Sequence, residues 1–112
     1  MANYAKYVQG DDTIDYTPSA DVAAGQVVVQ GDLIGVAKTP IKANVLGALA
    51  TEGIFDFPKA TGGGSGIAVG ITVYWDATNF VATATAGSNK LLGKTTVAAA
   101  DADAIVRVRL HQ

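Results

Sequence analysis

Polar and apolar residues alternate along the chain in short runs, and the clearest run lies near the C-terminus. In residues 104–110 (AIVRVRL), Ile105 and two arginines alternate with Val106, Val108 and Leu110. Successive side chains of a strand point to opposite faces of its sheet. The run therefore predicts a half-buried β-strand with one apolar face and the two arginines on the other face.

Other runs rich in β-branched and aromatic residues also predict strands, separated by glycine, proline and acidic residues. Residues 26–30 and 33–37 flank Gly31-Asp32 and predict a hairpin, as do residues 71–75 and 80–85 around an Asp76–Asn79 turn. The remaining predicted strands are 4–8 and 13–17 (a further hairpin), 41–50, 53–57 and 91–96. Residues 18–25 and 97–103 hold at most one helical turn each. We expect a mainly β protein with little helix: a single small domain, 1–112, built of short hairpins as a barrel or a sandwich.

Composition changes the picture of the surface. The 112 residues are 49% hydrophobic and only 16% charged, so the surface must carry few charges. Low charge is typical of a domain whose exterior is partly covered by another chain, because large exposed apolar areas promote aggregation. A threonine-rich, uncharged surface on a β protein explains the composition equally well.

The net charge and the first residues of the chain argue against some classes of binding partner. Ten acidic residues against eight basic ones give a net charge of −2, which provides no positive field for a nucleic-acid backbone. The sequence has no cysteine, so it forms no disulfide and no cysteine metal site. Neither a leader pattern at the start nor an apolar run of about 20 residues is present. We expect no direct nucleic-acid or membrane partner, and a protein made in the cytoplasm that stays there or leaves as part of a larger assembly.

Candidate catalytic groups are few and badly placed. His111, the only histidine, is the penultimate residue, where fraying is expected. The three serines lie in predicted turns, so nucleophilic catalysis has no natural centre. Asp11 with Asp12, and Asp101 with Asp103, are carboxylate pairs, but adjacent acids in turns are typical of solvated turn formers, and a calcium loop's glycine and distal glutamate are missing. We expect no enzyme, no cofactor and no metal site.

Two glycine-containing segments resemble phosphate-binding loops. Residues 87–95 (GSNKLLGKT) approach the pattern of a glycine, four residues, then Gly-Lys-Thr, but Ser88 stands where the first glycine belongs. The chain after this segment is too short for a parallel α/β sheet, so a turn followed by a strand is the better interpretation. Residues 61–66 (TGGGSG) have no lysine soon after them and predict a flexible surface loop.

The aromatic residues suggest core and contact positions. Phe55 and Phe57 share a face and are expected in the core, and one of Tyr74 and Trp75 is expected to be buried. Three tyrosines near the N-terminus are candidates for a protein interface, where tyrosine is enriched: Tyr4, Tyr7 and Tyr16.

Several segments, in their order and spacing, resemble the capsid cement (head decoration) proteins of tailed bacteriophages and prophages, a family whose members are also labelled predicted RecA-like recombinases. The segments cover nearly the whole chain, and the block from 49–53 to 58–59 and residues 74–76 are the most specific. They are 25–28 (GQVV), 35–37 (GVA), 47–55 (GALATEGIF), 58–60 (PKA), 73–76 (VYWD) and 92–94 (LGK).

The resemblance implies a small β protein that binds the outside of an expanded capsid shell, commonly as a homotrimer at local three-fold positions, and stabilises it against packaged DNA. Its partner is then the major capsid protein, and it lies on the virion surface after assembly in the host cytoplasm. The resemblance supplies no catalytic residues. For capsid or subunit contact, we predict the N-terminal residues Asn3, Tyr4, Lys6 and Tyr7.

Two other functions stay open from the sequence. One is an ATP-dependent recombination accessory, suggested by the Gly-Lys-Thr fragment and the recombinase label. The other is a carbohydrate-binding β-module in which Trp75 and Tyr74 form a stacking platform.

Overall fold

The computed structural model describes residues 5–10 and 12–112. These residues form nine β-strands and no helix. The strands are β1 Thr13–Tyr16, β2 Val27–Gln30, β3 Leu33–Val36, β4 Gly47–Ala50, β5 Gly53–Pro58, β6 Thr72–Asp76, β7 Val81–Thr83, β8 Lys90–Thr95 and β9 Ile105–Leu110.

The strands make two antiparallel sheets. The four-stranded sheet has the order β1-β4-β3-β2 and the five-stranded sheet has the order β5-β9-β8-β6-β7. A single parallel bridge between Lys59 and Ala82 joins the chain just after β5 to β7, so the two edges of the larger sheet meet at one point. The predicted mainly β architecture is confirmed, as a sandwich-like pair of sheets in which the larger one curls toward a barrel without closing.

The main core lies between the two sheets. β9 alternates as predicted: Val106, Val108 and Leu110 are fully buried and the residues between them are exposed. These side chains pack with Ile34 of the four-stranded sheet, and a Phe57–Trp75 ring pair, with centroids 6.0 Å apart, fills the same cluster. Burying each such side chain contributes roughly 1.5–3 kcal/mol, so this one cluster holds the sheets together.

The opposite face of the four-stranded sheet has a second, smaller core. Leu49 is fully buried there with Val28, and loop residues Val22 and Ile41, which form an isolated bridge, cover both. Gly35 makes this packing possible, because a β-carbon at that position would lie 2.8 Å from the Leu49 β-carbon. The centre of the small sheet is therefore buried on both faces.

The last two residues are tied into the fold, so the expected fraying at His111 is wrong. The His111 backbone N–H donates to the Leu92 carbonyl at 2.9 Å. The Gln112 side chain accepts from the Ile34 N–H at 2.5 Å and donates to the Ile34 carbonyl at 2.7 Å. Since β3 meets β4 only at the Val36–Ala50 pair, this amide takes the place of a missing strand partner.

Two predicted elements near the start of the chain differ in the structure. Residues 5–8, the described part of the predicted strand 4–8, are exposed and belong to no strand, and β1 pairs with β4 instead of with this segment. Residues 5–10 offer no alternating apolar face that the core could bury, so the predicted hairpin does not form. The predicted strand 41–50 is shorter than expected, because only residues 47–50 enter the ladder.

The glycine-rich loop 61–66 is anchored, which corrects the prediction of a flexible connection. Asp101 accepts hydrogen bonds from the Gly66 N–H at 2.6 Å and from the Gly64 N–H at 3.3 Å. The Gly62 N–H donates to the Asp101 carbonyl at 2.9 Å. The sequence offers no sign of this contact, because the partner lies about 35 residues away.

The buried ammonium of Lys59 also stabilises the region around loop 61–66. Its side chain is buried, with 5% exposure for the residue, and its ammonium donates to the carbonyls of Ala60 and Asp103 at 2.6 and 2.9 Å and to the Ser65 hydroxyl at 3.3 Å. A buried ammonium is stable only when its donors are used, and here all three are. Lys59 thus joins the chain after β5 to two loops.

Gly93 is the position least able to accept a side chain. A β-carbon added there would lie 1.9 Å from the Arg109 carbonyl oxygen, and its φ is 156°. We expect Gly93→Ala to lower the free energy of unfolding by about 3 kcal/mol or more, because β8 and β9 must move apart. Urea denaturation measures this. Gly63→Ala, which meets no atom within 4 Å, is the matched control and should change stability by less than about 0.5 kcal/mol; equal midpoints for the two variants would contradict the argument.

Lys59 supplies a second stability test. Lys59→Met keeps much of the apolar stem but leaves the Ala60 and Asp103 carbonyls without their ammonium donor. We expect a loss of about 2 kcal/mol or more in the free energy of unfolding. Lys42→Met, at an exposed lysine, should stay within about 0.5 kcal/mol of the parent protein. A Lys59 variant as stable as the Lys42 variant would show that the buried ammonium is dispensable.

Candidate protein-binding surfaces

The predicted N-terminal contact residues lie partly within the described chain. Asn3 and Tyr4 fall outside the described residues. Lys6 and Tyr7 are exposed, and Tyr7 shows 83% of its surface. An aromatic residue this exposed gains no burial energy from its own fold, so it is available to a partner. The contact role of these four residues stays a prediction.

The face of the five-stranded sheet that points away from the core carries exposed and half-buried side chains, and we call it the outer face. Alternate residues of five strands form it: Ile54 and Asp56 of β5, Ile105, Arg107 and Arg109 of β9, Leu91 and Lys94 of β8, Thr72 and Tyr74 of β6, and Thr83 of β7.

The outer face mixes apolar and charged side chains. Ile54 and Ile105 are 61% and 57% exposed at opposite ends of the β5–β9 ladder, and Leu91 lies across from Tyr74. The register between β6 and β8 shifts at a β-bulge between Val73 and Tyr74. This shift places Leu91 on the outer face, opposite Tyr74. Exposed apolar side chains around charged ones are typical of protein-contact surfaces.

One arginine of this face is neutralised within the chain. Arg107 donates from Nε and Nη2 to the two carboxylate oxygens of Asp56, at 2.9 and 3.2 Å, across the β5–β9 pair. These hydrogen bonds lower the pKa of Asp56 and raise the pKa of Arg107. Each charge of this pair therefore already has a partner.

The next outward-facing cross-strand pair consists of two cations, and neither has an acidic partner among the described residues. Lys94 of β8 and Arg109 of β9 are directly opposite in the ladder, and no carboxylate of the described residues lies within 4.0 Å of either. They line a shallow depression of about 170 Å³ with Thr72, Leu91, Gly93 and His111. Sequence alternation predicts that both arginines of β9 face solvent, but the Lys94–Arg109 pairing depends on the β8–β9 register and was missed.

A larger groove lies elsewhere, and its polar side chains form hydrogen bonds within the turn and loop that line it. It has a volume of about 480 Å³ and runs between the glycine-rich loop and β7. Among its polar lining residues, Asp76 accepts from the Thr78 and Asn79 N–H groups and from the Asn79 side chain. Ser65 donates to the Gly62 carbonyl at 2.6 Å. These groups serve the loops and turn that form the groove.

The motifs that suggested chemistry have structural roles. Residues 87–95 form a turn and then β8, as expected, so Gly93 and Lys94 lie in a ladder and not in a phosphate-binding loop. Asp101 and Asp103 accept loop N–H groups, at Gly66 and at Ala100. No group of histidine and acidic side chains in the described ranges is arranged to hold a metal ion. Nor does the described chain contain a helix long and apolar enough to cross a membrane.

Trp75 is not available for stacking on a sugar. It is 5% exposed and packs in the main core, whereas Tyr74 is half-buried on the outer face. Neighbouring strand residues point in opposite directions, so the two rings share no platform. Of the N-terminal candidates, Tyr16 also packs partly against the smaller core.

Comparison with known protein families gives a match over most of the chain. The family model described as "Phage cement protein" matches residues 8–110. No curated protein and no solved structure matches the chain. The match includes all nine strands and both cores, and the earlier resemblance points to the same family. The chain belongs to the phage cement protein family.

Proposed function

We propose that the protein binds the outer surface of an expanded phage capsid shell and stabilises it against the outward pressure of packaged DNA. In this proposal residues 1–112 act as one decorating domain, three copies associate as a homotrimer, and the direct partner is the major capsid protein. The protein performs no catalysis. It meets the shell in the host cytoplasm during assembly and remains on the virion surface.

The family match over residues 8–110 carries the proposal. The fold supports it, because two cores and an anchored set of loops give a rigid subunit. A cement protein must resist deformation. When many copies bind one shell, their individually weak contacts together give strong binding. Ser65 and Asp76, in the groove between the glycine-rich loop and β7, form hydrogen bonds within their own loop and turn. We therefore expect the exposed protein surface, and not this groove, to make the functional contacts.

The exposed N-terminal segment supports a contact role for Asn3, Tyr4, Lys6 and Tyr7. The described part, residues 5–10, is exposed throughout and joins no strand. Tyr7 and Val8 are 83% and 82% exposed next to each other. A segment with exposed aromatic and apolar side chains gains energy on contact with a partner surface.

Shell binding is the primary test. The purified protein is mixed with expanded shells that lack it and with unexpanded shells, and both mixtures are sedimented. We expect saturable co-sedimentation with expanded shells only, with copies bound in multiples of three, because three-fold positions form on expansion. Failure to bind either kind of shell would sink the proposal, and a copy number incompatible with threes would remove the trimer from it.

A substitution at Tyr7 tests the N-terminal contact. We expect Tyr7→Ala to weaken shell binding by about tenfold or more, which corresponds to the loss of one well-buried aromatic anchor. Phe80→Ala is the control, since Phe80 is also a highly exposed aromatic residue but lies in the turn before β7. Both variants should unfold at the parent temperature. Equal binding by the two variants would argue against a contact at Tyr7.

A further inference from the structure

The chain has a net charge of −2, yet most of the cations in the described ranges have no acidic partner. Seven of the nine acidic side chains in the described ranges already have a partner: Asp21, Asp32, Glu52, Asp56, Asp76, Asp101 and Asp103. Among the cations of the same ranges, only Lys59, Lys90 and Arg107 have a partner. Five cations remain, against two acids, Asp12 and Asp15. Most of the partnered acids accept neutral N–H groups and keep their negative charge, so the free cations matter through where they lie together and not through an overall positive surface.

Two of these five cations stand together on the outer face. Lys94 and Arg109 are cross-strand neighbours, and like charges directly opposite each other destabilise a sheet. Glu52 and Asp12 line a neighbouring depression with Arg109, but Glu52 lies 3.5 Å from His111 and neither acid lies within 4.0 Å of Arg109. The adjacent Asp56–Arg107 pair shows that this sheet accommodates an acid across from an arginine. At Lys94 and Arg109 the neutralising group is absent from the described chain.

Apolar side chains border the two cations. Ile54 is the β5 neighbour of Arg109, Thr72 is the β6 neighbour of Lys94, and Leu91 lines the same depression. Removing such cations from water is favourable only when an anionic group replaces the lost hydration. A partner that fits must bring one or two anionic groups flanked by apolar atoms, and on a protein these groups are carboxylates.

We infer that the outer face around Lys94 and Arg109 docks a carboxylate-bearing segment of the capsid shell protein. The inference rests on the proposed function, and it names the surface and the chemistry of that contact. A second copy of this chain fits less well, because nearly all of its described acids are engaged. A nucleic acid fits poorly too, because a phosphate backbone needs a run of several cations, whereas this site offers two in a chain of net charge −2.

The test compares charge-reversed variants on expanded shells. We expect Lys94→Glu to weaken binding at least tenfold and Lys94→Glu with Arg109→Glu to weaken it further. Lys42→Glu is the matched control: it makes the same charge change at an exposed lysine in the loop between β3 and β4 and should bind like the parent. Parent binding should weaken with added salt, and the double variant should show a flatter salt dependence because fewer charge contacts remain.

Stability separates a binding defect from a folding defect. Lys94→Glu replaces a like-charge pair with a Glu–Arg pair, so the free variant should melt at or above the parent temperature while binding less. A second arm treats the shells: capping their carboxylates with carbodiimide and a neutral amine should abolish binding of the untreated parent protein. Loss of binding together with raised or equal stability, and sensitivity to capping, supports the inference.

Each other outcome has a distinct meaning. A parent protein that binds no shell refutes the proposed function and this inference with it. A parent that binds while the double variant binds equally well refutes the outer face alone. A double variant that loses the parent's oligomeric state, measured by light scattering, makes the face an interface between copies and overturns the assignment to the shell.

Discussion

The alternation of β9 is the constraint on which the rest of the molecule depends. This strand lies between β5 and β8, so its backbone is paired on both edges and cannot shift alone. Its inward residues, Val106, Val108 and Leu110, form the middle of the main core. Its outward residues include both arginines. A slip of one residue would exchange the two sets and place guanidinium groups in the core, so packing energy and surface chemistry are fixed by the same register.

The register of β9 also brings its backbone close to that of β8. β8 reaches β9 at Gly93, where only a hydrogen atom fits beside the Arg109 carbonyl. The same contact brings Lys94 across from Arg109 and forms the floor of the depression on the outer face. Gly93, which gave residues 87–95 part of their resemblance to a phosphate-binding loop, is thus explained by sheet geometry.

Strands with strong local signals were predictable from the sequence. The β2–β3 and β6–β7 hairpins, β8 and β9 lie where alternation, β-branched residues and turn residues indicated. Residues 5–8 were mispredicted because a short run of mixed residues fits a strand locally but lacks a face to bury. The anchoring of loop 61–66 by Asp101 and the Lys94–Arg109 pairing were not predictable, since both depend on contacts between distant parts of the chain. Composition pointed correctly to a surface with little charge, but net charge concealed which charges are free.

The Gln112 amide has a consequence for crowded assemblies. Beside Ile34, where β3 lacks a strand neighbour, this side chain satisfies one N–H and one carbonyl. Unlike a strand, it presents no further backbone on its far side, so the ladder ends there. Open sheet edges recruit strands from other molecules, and the risk grows with local concentration. The outer edges of this sheet are β1 and β2, so the amide removes one point of strand recruitment, beside Ile34, from a subunit that works among many copies of itself.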